Sequence, residues 1–268
     1  MNQPANKLPE FDNPPLQETI LSVEFDRLPD WRIPHYGAFW TTIRDTYPKV
    51  DAQAPLAPAP DNSTAPASVR ISTGDPNLAR ACFVNQSGTM QVQVQNDRFL
   101  TTWARTPSNE QYPRYREIRP NFERQWGLFL KFIENERLTA PRPTRCELTY
   151  VNHLDSKGSW SELQPPEKMF APWSGKQTDG FLPKPSMVSA VAQYTMHEGE
   201  LVIVLQPAIR VSDQTKLIQL TLTARLPLDQ GANTKSILER FDIGREWIVR
   251  GFADITTKEF QSIWKRKD

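Results

Sequence analysis

Glycine, cysteine and histidine are scarce in this 268-residue chain, at 11, 2 and 3 residues. So little glycine argues against glycine-rich phosphate cradles. Neither G-x-x-x-x-G-K-[ST] nor G-x-G-x-x-G occurs, which excludes nucleotide binding by those two devices. His35, His153 and His197 are scattered, with no His-Glu-x-x-His or Cys-x-x-Cys pattern beside them, so no metal site and no cofactor is expected. Cys82 and Cys146 each lie inside an apolar, strand-like segment and read as buried thiols rather than as a bridge. Charge of one sign is missing too: 32 Lys+Arg stand against 31 Asp+Glu, a formal +1, so no global field draws the chain onto a phosphate polymer or an anionic bilayer. Met1 to Lys7 lacks the roughly 7 to 15 apolar residues of a signal peptide, and no run nears the roughly 18 of a membrane helix. The expectation is a soluble, cytoplasmic protein without membrane contact.

Proline and aromatic residues are plentiful by contrast. The 24 prolines exceed the average of roughly 5% and favour stiff connections, while 8 Trp, 6 Tyr and 13 Phe can build a real core. At roughly 150 residues per domain, the length allows one large domain or two small ones.

Periodicity orders the elements. After a flexible leader over 1–13, Pro14 to Phe25 reads as a strand. Pro34 suits a first helical turn, and Tyr36, Phe39, Trp40, Ile43 and Tyr47 gather on one helical face until Pro48. From Pro48 to Ser68, Ala, Pro, Asp and Ser dominate, and a loop is expected. Arg80–Val84 reads as a strand. Thr89–Gln95, with Met90, Val92 and Val94 alternating against a wet Gln91, Gln93, Gln95 face, forms a hairpin with Phe99–Arg105 through an Asn96-Asp97 turn. Pro120 then opens a long helix carrying Phe122, Trp126, Phe129, Leu130 and Ile133, and Thr144–Leu154 follows as a strand. Ser156 to Pro185 holds Trp160, Phe170, Trp173 and Phe181, rings costly to leave in water, so an ordered wrapping segment is expected. Met187–Tyr194, Leu201–Gln206 and Leu217–Leu226 make a meander turning at His197-Glu198-Gly199-Glu200. Thr234–Asp254 is a helix, and Thr256 with Glu259 has capping-box spacing before a short last helix ending near Trp264.

Consecutive strands with helices interposed late indicate an α+β fold: a largely antiparallel sheet packed against long helices. One domain over 14–268 is expected, as a lobe 14–155, the wrap 156–185 and a lobe 186–268. A meander followed by a long helix in both halves points to two degenerate βββα-like halves.

Five segments carry a resemblance. They are Pro14 to Glu18 (Pro-Pro-Leu-x-Glu), Asp97-Arg98-Phe99 leading to Trp103, and Tyr112-Pro113-x-Tyr115. Glu147 to Asn152 (Glu-x-Thr-Tyr-Val-Asn) follows, then Phe252, Ile255 and Thr256 with the late Trp264. In this order, over nearly the whole chain, they resemble a sporadically distributed bacterial family of uncharacterised proteins of about this length. The resemblance implies bacterial, patchily distributed gene content and no established reaction.

Two clusters carry candidate chemistry. Arg98, Arg105, Arg114, Arg116, Arg119 and Arg124 interleave with Trp103, Tyr112, Tyr115 and Phe122, and guanidinium planes beside rings can hold phosphate, carboxylate or stacked bases. Glu110, Glu117 and Glu123 share the region, so surface pairing is the plainer account. On the later strand, Glu147, Thr149 and Val151 share one face, and Tyr150 and Asn152 the other. A structural brace, with Glu147 paired to an arginine of the preceding helix, is favoured there. Gly158-Ser159-Trp160-Ser161-Glu162 lacks the second glycine of a nucleophile elbow, and Glu198 and Glu200 read as a wet turn.

No catalytic set is recognised. The leading expectation is a non-catalytic binding or interaction protein, an accessory component of a mobile defence or toxin-linked locus, whose partner is a protein or a second copy rather than nucleic acid. The candidate binding residues are Arg98, Trp103, Tyr112, Arg114, Tyr115, Glu147, Tyr150 and Asn152. The alternative is an enzyme or small-ligand binder with a pocket between sheet and long helix, where Arg98, Arg114, Tyr115, Glu147 and Asn152 converge. A third reading is single-stranded nucleic-acid binding by the arginines and rings.

Overall fold

Apolar stripes fix the helices. The computed structural model describes residues 7–56, 80–107, 111–155, 170, 189–210 and 213–267. In it α1 spans Ile33–Ile43, α2 Tyr115–Asn135, α3 Thr234–Ile255 and α4 Lys258–Ile263. Tyr36, Phe39 and Ile43 bury one side of α1, whose first turn holds Pro34. His35 serves that helix start: its Nδ1 accepts the Arg32 backbone N–H at 2.9 Å, satisfying a donor that no helical carbonyl reaches. On α2, Ile118, Phe122, Trp126, Phe129 and Ile133 recur at three- and four-residue steps and are buried.

The strands are β1 (Glu10–Phe11), β2 (Leu16–Phe25), β3 (Lys49–Gln53), β4 (Arg80–Val84), β5 (Met90–Gln95) and β6 (Arg98–Ala104). They continue as β7 (Pro143–Asp155), β8 (Ala190–Met196), β9 (Gly199–Ile209), β10 (Lys216–Pro227) and β11 (Arg266–Lys267). The fold is α+β, with a largely antiparallel sheet and helices packed on it, as expected.

Two compact units divide the chain. Unit 1 comprises 1–20, 145–228 and 235–268, and unit 2 comprises 21–144 and 229–234. In unit 2 the strand order is β3-β4-β5-β6-β2, with antiparallel steps from β3 to β6. Phe25, Phe39, Phe83, Phe99, Phe122, Trp126 and Phe129 form its core. In unit 1 the order is β7-β10-β9-β8, antiparallel throughout. Leu148, Leu201, Leu220, Leu222, Ala224 and Leu226 cover one face, under α3. Gly244 permits the close approach of that helix, since a Cβ there would stand 3.1 Å from Leu226 and 3.2 Å from Ala224. Phe11, Phe252, Phe260 and Trp264 make a smaller aromatic cluster beside the β1–β11 pair, with Phe11 and Phe252 ring centroids 5.4 Å apart. Glu10 and Phe11, within the stretch read as a leader, are thus a paired strand.

Several expectations are corrected. Lys49–Gln53, read as loop, is a strand, because pairing with β4 needs only backbone groups and all five residues are exposed. Residues 57–79 of that stretch, and all of the wrapping segment 156–185 except Phe170, lie outside the described residues. Phe170 is buried and bridges to Thr256. The long helix starts at Tyr115, so Pro120 sits inside it, where it removes the N–H that would reach the Arg116 carbonyl. The glutamine row is not wet: Gln93 and Gln95 are buried. Thr256 does not cap the last helix. Its hydroxyl donates back to the Phe252 carbonyl at 2.7 Å, and Thr257 holds the cap position. Glu200 lies in β9 and is ion-paired, and the turn itself is 197–198.

That turn depends on Gly199. Its φ of +153° is one that side-chain-bearing residues rarely adopt, and a Cβ there would overlap the Arg225 carbonyl oxygen. Gly199→Ala should therefore cost about 2 kcal/mol or more. Amide hydrogen exchange should quicken across β8 and β9 while unit 2 amides keep their protection; unchanged exchange in β8 contradicts this account.

Candidate functional site

Strand parity separates the unit 2 candidates. On β6, Phe99, Thr101 and Trp103 share one face, and Arg98, Leu100 and Thr102 the other. Phe99 packs on Phe122 and Trp126 of α2 at 6.0 and 5.4 Å, so the odd-numbered residues look toward that helix. Trp103 accordingly lies buried there, its ring 5.2 Å from Tyr112, and Arg114 sets its guanidinium over Tyr112 at 5.6 Å. Such a cation–π contact contributes roughly 0.5–1 kcal/mol where partly exposed. Arg114 holds the N-cap position of α2 at φ +72°, and Tyr115, the first helical residue, is buried. Trp103, Tyr112 and Arg114 are therefore one cluster adjoining a helix start.

Arg98 points the other way. It meets Glu24 of β2 at 2.6 Å, and both side chains are about nine-tenths buried. The same face of the sheet carries Gln93 and Gln95. Gln93 Oε1 accepts from Arg80 at 2.8 Å, and its amide nitrogen donates to Gln91 at 3.2 Å. Gln95 Oε1 accepts the Leu56 N–H at 2.9 Å, and its nitrogen donates to Asp97 at 2.8 Å. This face is a covered polar layer. Sequence reasoning missed Glu24 and Arg80 as its members; the alternation marks two faces but not what covers them.

In unit 1, Glu147 and Arg225 stand directly opposite on β7 and β10. Arg225 Nε donates to Glu147 Oε2 at 2.9 Å, and a second guanidinium nitrogen meets Glu200 Oε1 of β9 at 3.1 Å. The partner of Glu147 is thus a neighbouring strand's arginine, not one from the preceding helix, because β-pairing brings a residue 78 positions away within reach. Burial alone would lower the Arg225 pKa; the two carboxylates outweigh it and raise it above the ordinary arginine value. Tyr150 and Asn152 lie on the opposite, helix-facing side of β7 and are buried, with Asn152 Nδ2 donating to the Leu220 carbonyl at 3.1 Å. Cys146 shares that side, and burial pushes its thiol well up, as it does Cys82 to a lesser degree. Both are free, buried thiols held away from the reactive thiolate form.

Within each unit the candidates part company. Five belong to unit 2, where Arg98 parts from the Trp103, Tyr112 and Arg114 cluster. Three belong to unit 1, where Glu147 parts from Tyr150 and Asn152. Among the described residues, no three His, Cys, Asp or Glu side chains group as metal ligands would, and no helix is long and apolar enough to cross a membrane.

One surface was not anticipated. The face of the unit 1 sheet turned away from α3 carries ordered cross-strand rows. Val191, Val204, Thr221 and Val151 line up across β8, β9, β10 and β7 in one row, and Gln193, Val202, Thr223 and Thr149 in the next. Val151, Val202, Val204 and Thr221 are half-buried, and Val191 is 71% exposed. The Thr149 and Thr223 hydroxyls bond each other at 3.0 Å, so the centre is β-branched and uncharged. The Glu147–Arg225–Glu200 triad borders it on one side, and Gln206 with Gln219 on the other. No family model matches this chain, and a search of curated proteins likewise finds no match.

Proposed function

We propose that this protein is a non-catalytic interaction protein that presents the face of the unit 1 sheet turned away from α3 to a protein partner. The observation that carries this reading is the valine- and threonine-rich patch rimmed by glutamines and an ion-paired triad. An apolar centre depleted of charge within a polar rim is how protein-binding surfaces are built. The polar candidates support it as well, since Glu147 is held by Arg225, Arg98 by Glu24 and Asn152 by the Leu220 carbonyl. The sporadic distribution implied by the family resemblance suits an accessory component of a mobile defence or toxin-linked locus.

The test places a photo-reactive phenylalanine analogue at exposed Gln206, on this face, with exposed Lys131 on α2 as control. Crosslinking in the native host should trap one defined polypeptide through position 206 and none through 131. Equal labelling at both positions, or turnover by the purified protein across a broad hydrolase and nucleotide-substrate panel, removes the reading.

A further inference from the structure

The outermost strand of unit 1, β8, is bonded to β9 on one side, and among the described residues no strand pairs its other side. Such an edge offers a row of backbone donors and acceptors to any other chain, and proteins ordinarily blunt it with charges, proline, a bulge or brevity. None of these is present in Ala190-Val191-Ala192-Gln193-Tyr194-Thr195-Met196. The strand has no Asp, Glu, Lys, Arg or Pro, and its register with β9 runs unbroken from Ala190 opposite Leu205 to Met196 opposite Gly199. Val191 through Thr195 are all exposed, Tyr194 by 40%.

The outermost strand of unit 2 differs. β3 is shorter and carries Lys49 and Asp51, and antiparallel pairing centred on Asp51 would set that carboxylate against its own copy. Among the described residues, β3 is guarded against self-pairing and β8 is not.

Resting on the reading of the protein as an interaction protein, we infer that β8 pairs antiparallel with β8 of a second copy about a twofold axis at Gln193. The strand is complementary to itself about that residue. Val191 falls opposite Thr195, a β-branched pair, and Ala192 opposite Tyr194, small against large, with Gln193 amides meeting at the centre. Such pairs stabilise antiparallel strands, and no like charges oppose. A twofold contact uses the same patch on both copies and closes on itself, so the edge yields a dimer rather than a fibre.

The test is sedimentation of the full chain over a micromolar concentration series. Two double variants accompany it: Val191→Lys with Thr195→Lys, and Val191→Glu with Thr195→Glu. Both positions are exposed, and circular dichroism verifies folding. In the symmetric pair each variant sets like charges opposite twice, which should weaken self-association on the order of 100-fold or more. Mixing the lysine and glutamate variants should restore a dimer between them. A monomeric wild type throughout the series, variants that dimerise like wild type, or a mixture that stays monomeric each overturns the inference. A monomeric protein whose position 206 still traps a foreign polypeptide would remove self-pairing and leave the interaction reading standing. A β8 dimer with no trapped polypeptide at 206 would do the reverse.

Discussion

Phe129→Ala should lower the stability of unit 2 by about 3–5 kcal/mol, the range for deleting a fully buried phenylalanine that leaves a cavity. Phe129 is fully buried on α2, and its ring is shared by four other segments. It stands 5.1 Å from Phe99 of β6, 5.6 Å from Phe39 of α1, 5.8 Å from Trp31 before α1 and 6.1 Å from Phe25 of β2, with Trp126 on its own helix at 5.6 Å. Those neighbours belong to different elements and bulky rings, so they cannot all move into the vacated space. Urea denaturation followed by tryptophan emission reports it directly, because Trp31 and Trp126 line the hole. The midpoint should fall while the slope of free energy against denaturant stays constant. Phe129→Leu keeps most of the volume and loses the ring, so its smaller deficit isolates the aromatic contacts, roughly 0.5–1.5 kcal/mol a pair and not additive. A loss below about 1 kcal/mol for the alanine variant would mean that the core collapses freely around the gap, against this packing.

That core was legible because its determinants are local. Ile118, Phe122, Trp126, Phe129 and Ile133 declare a helical stripe whatever they pack on, just as in unit 1 Leu220, Leu222, Thr221 and Thr223 declare β10 by alternation. Pro120 hides the start of α2, since proline suits a first helical turn, although Tyr115 and Ile118 already continue the stripe backward. β3 left no trace: an outermost strand with every side chain exposed is specified by the backbone of its neighbour. Alternation in β5 showed that the glutamines share a face but not that the face is covered, since the groups satisfying Gln93 and Gln95, Arg80 and the Leu56 backbone, come from other segments. The same limit governs the candidate residues. Trp103, Tyr112 and Arg114 lie close in sequence and do cluster. Arg98 is their neighbour in sequence, but five residues along a strand from Trp103 puts it on the opposite face. Glu147 was singled out as the member of a brace, but its arginine could not be named from sequence, because strand register and not spacing chose it. The valine–threonine face turned away from α3 escaped for the same reason, as its rows exist only once four strands are aligned.

Removing one partner of the Arg98–Glu24 pair should be nearly as damaging as the core deletion, and removing both should not. The two groups meet at 2.6 Å with side chains 7% and 10% exposed, so water screens them little. Glu24→Ala removes the carboxylate that this buried guanidinium meets, a change that costs about 3–5 kcal/mol in comparable buried pairs. Glu24→Gln keeps an acceptor for the guanidinium but removes the charge, and should fall between that variant and wild type. Arg98→Met combined with Glu24→Leu replaces both charges by apolar groups of similar size. Desolvating two ions offsets much of what their attraction contributes, so this double variant should be more stable than Glu24→Ala alone. The four-cornered cycle then gives a coupling energy between the sites, read from the same urea transitions. Because the pair is buried, raising the salt concentration should leave that coupling unchanged, whereas an exposed ion pair would weaken. If the double variant is as unstable as Glu24→Ala, the polar layer on this face requires the ions themselves. Arg98 and Glu24 would then be tied into the wider network with Gln93 and Gln95, rather than forming a self-contained pair that apolar side chains can replace.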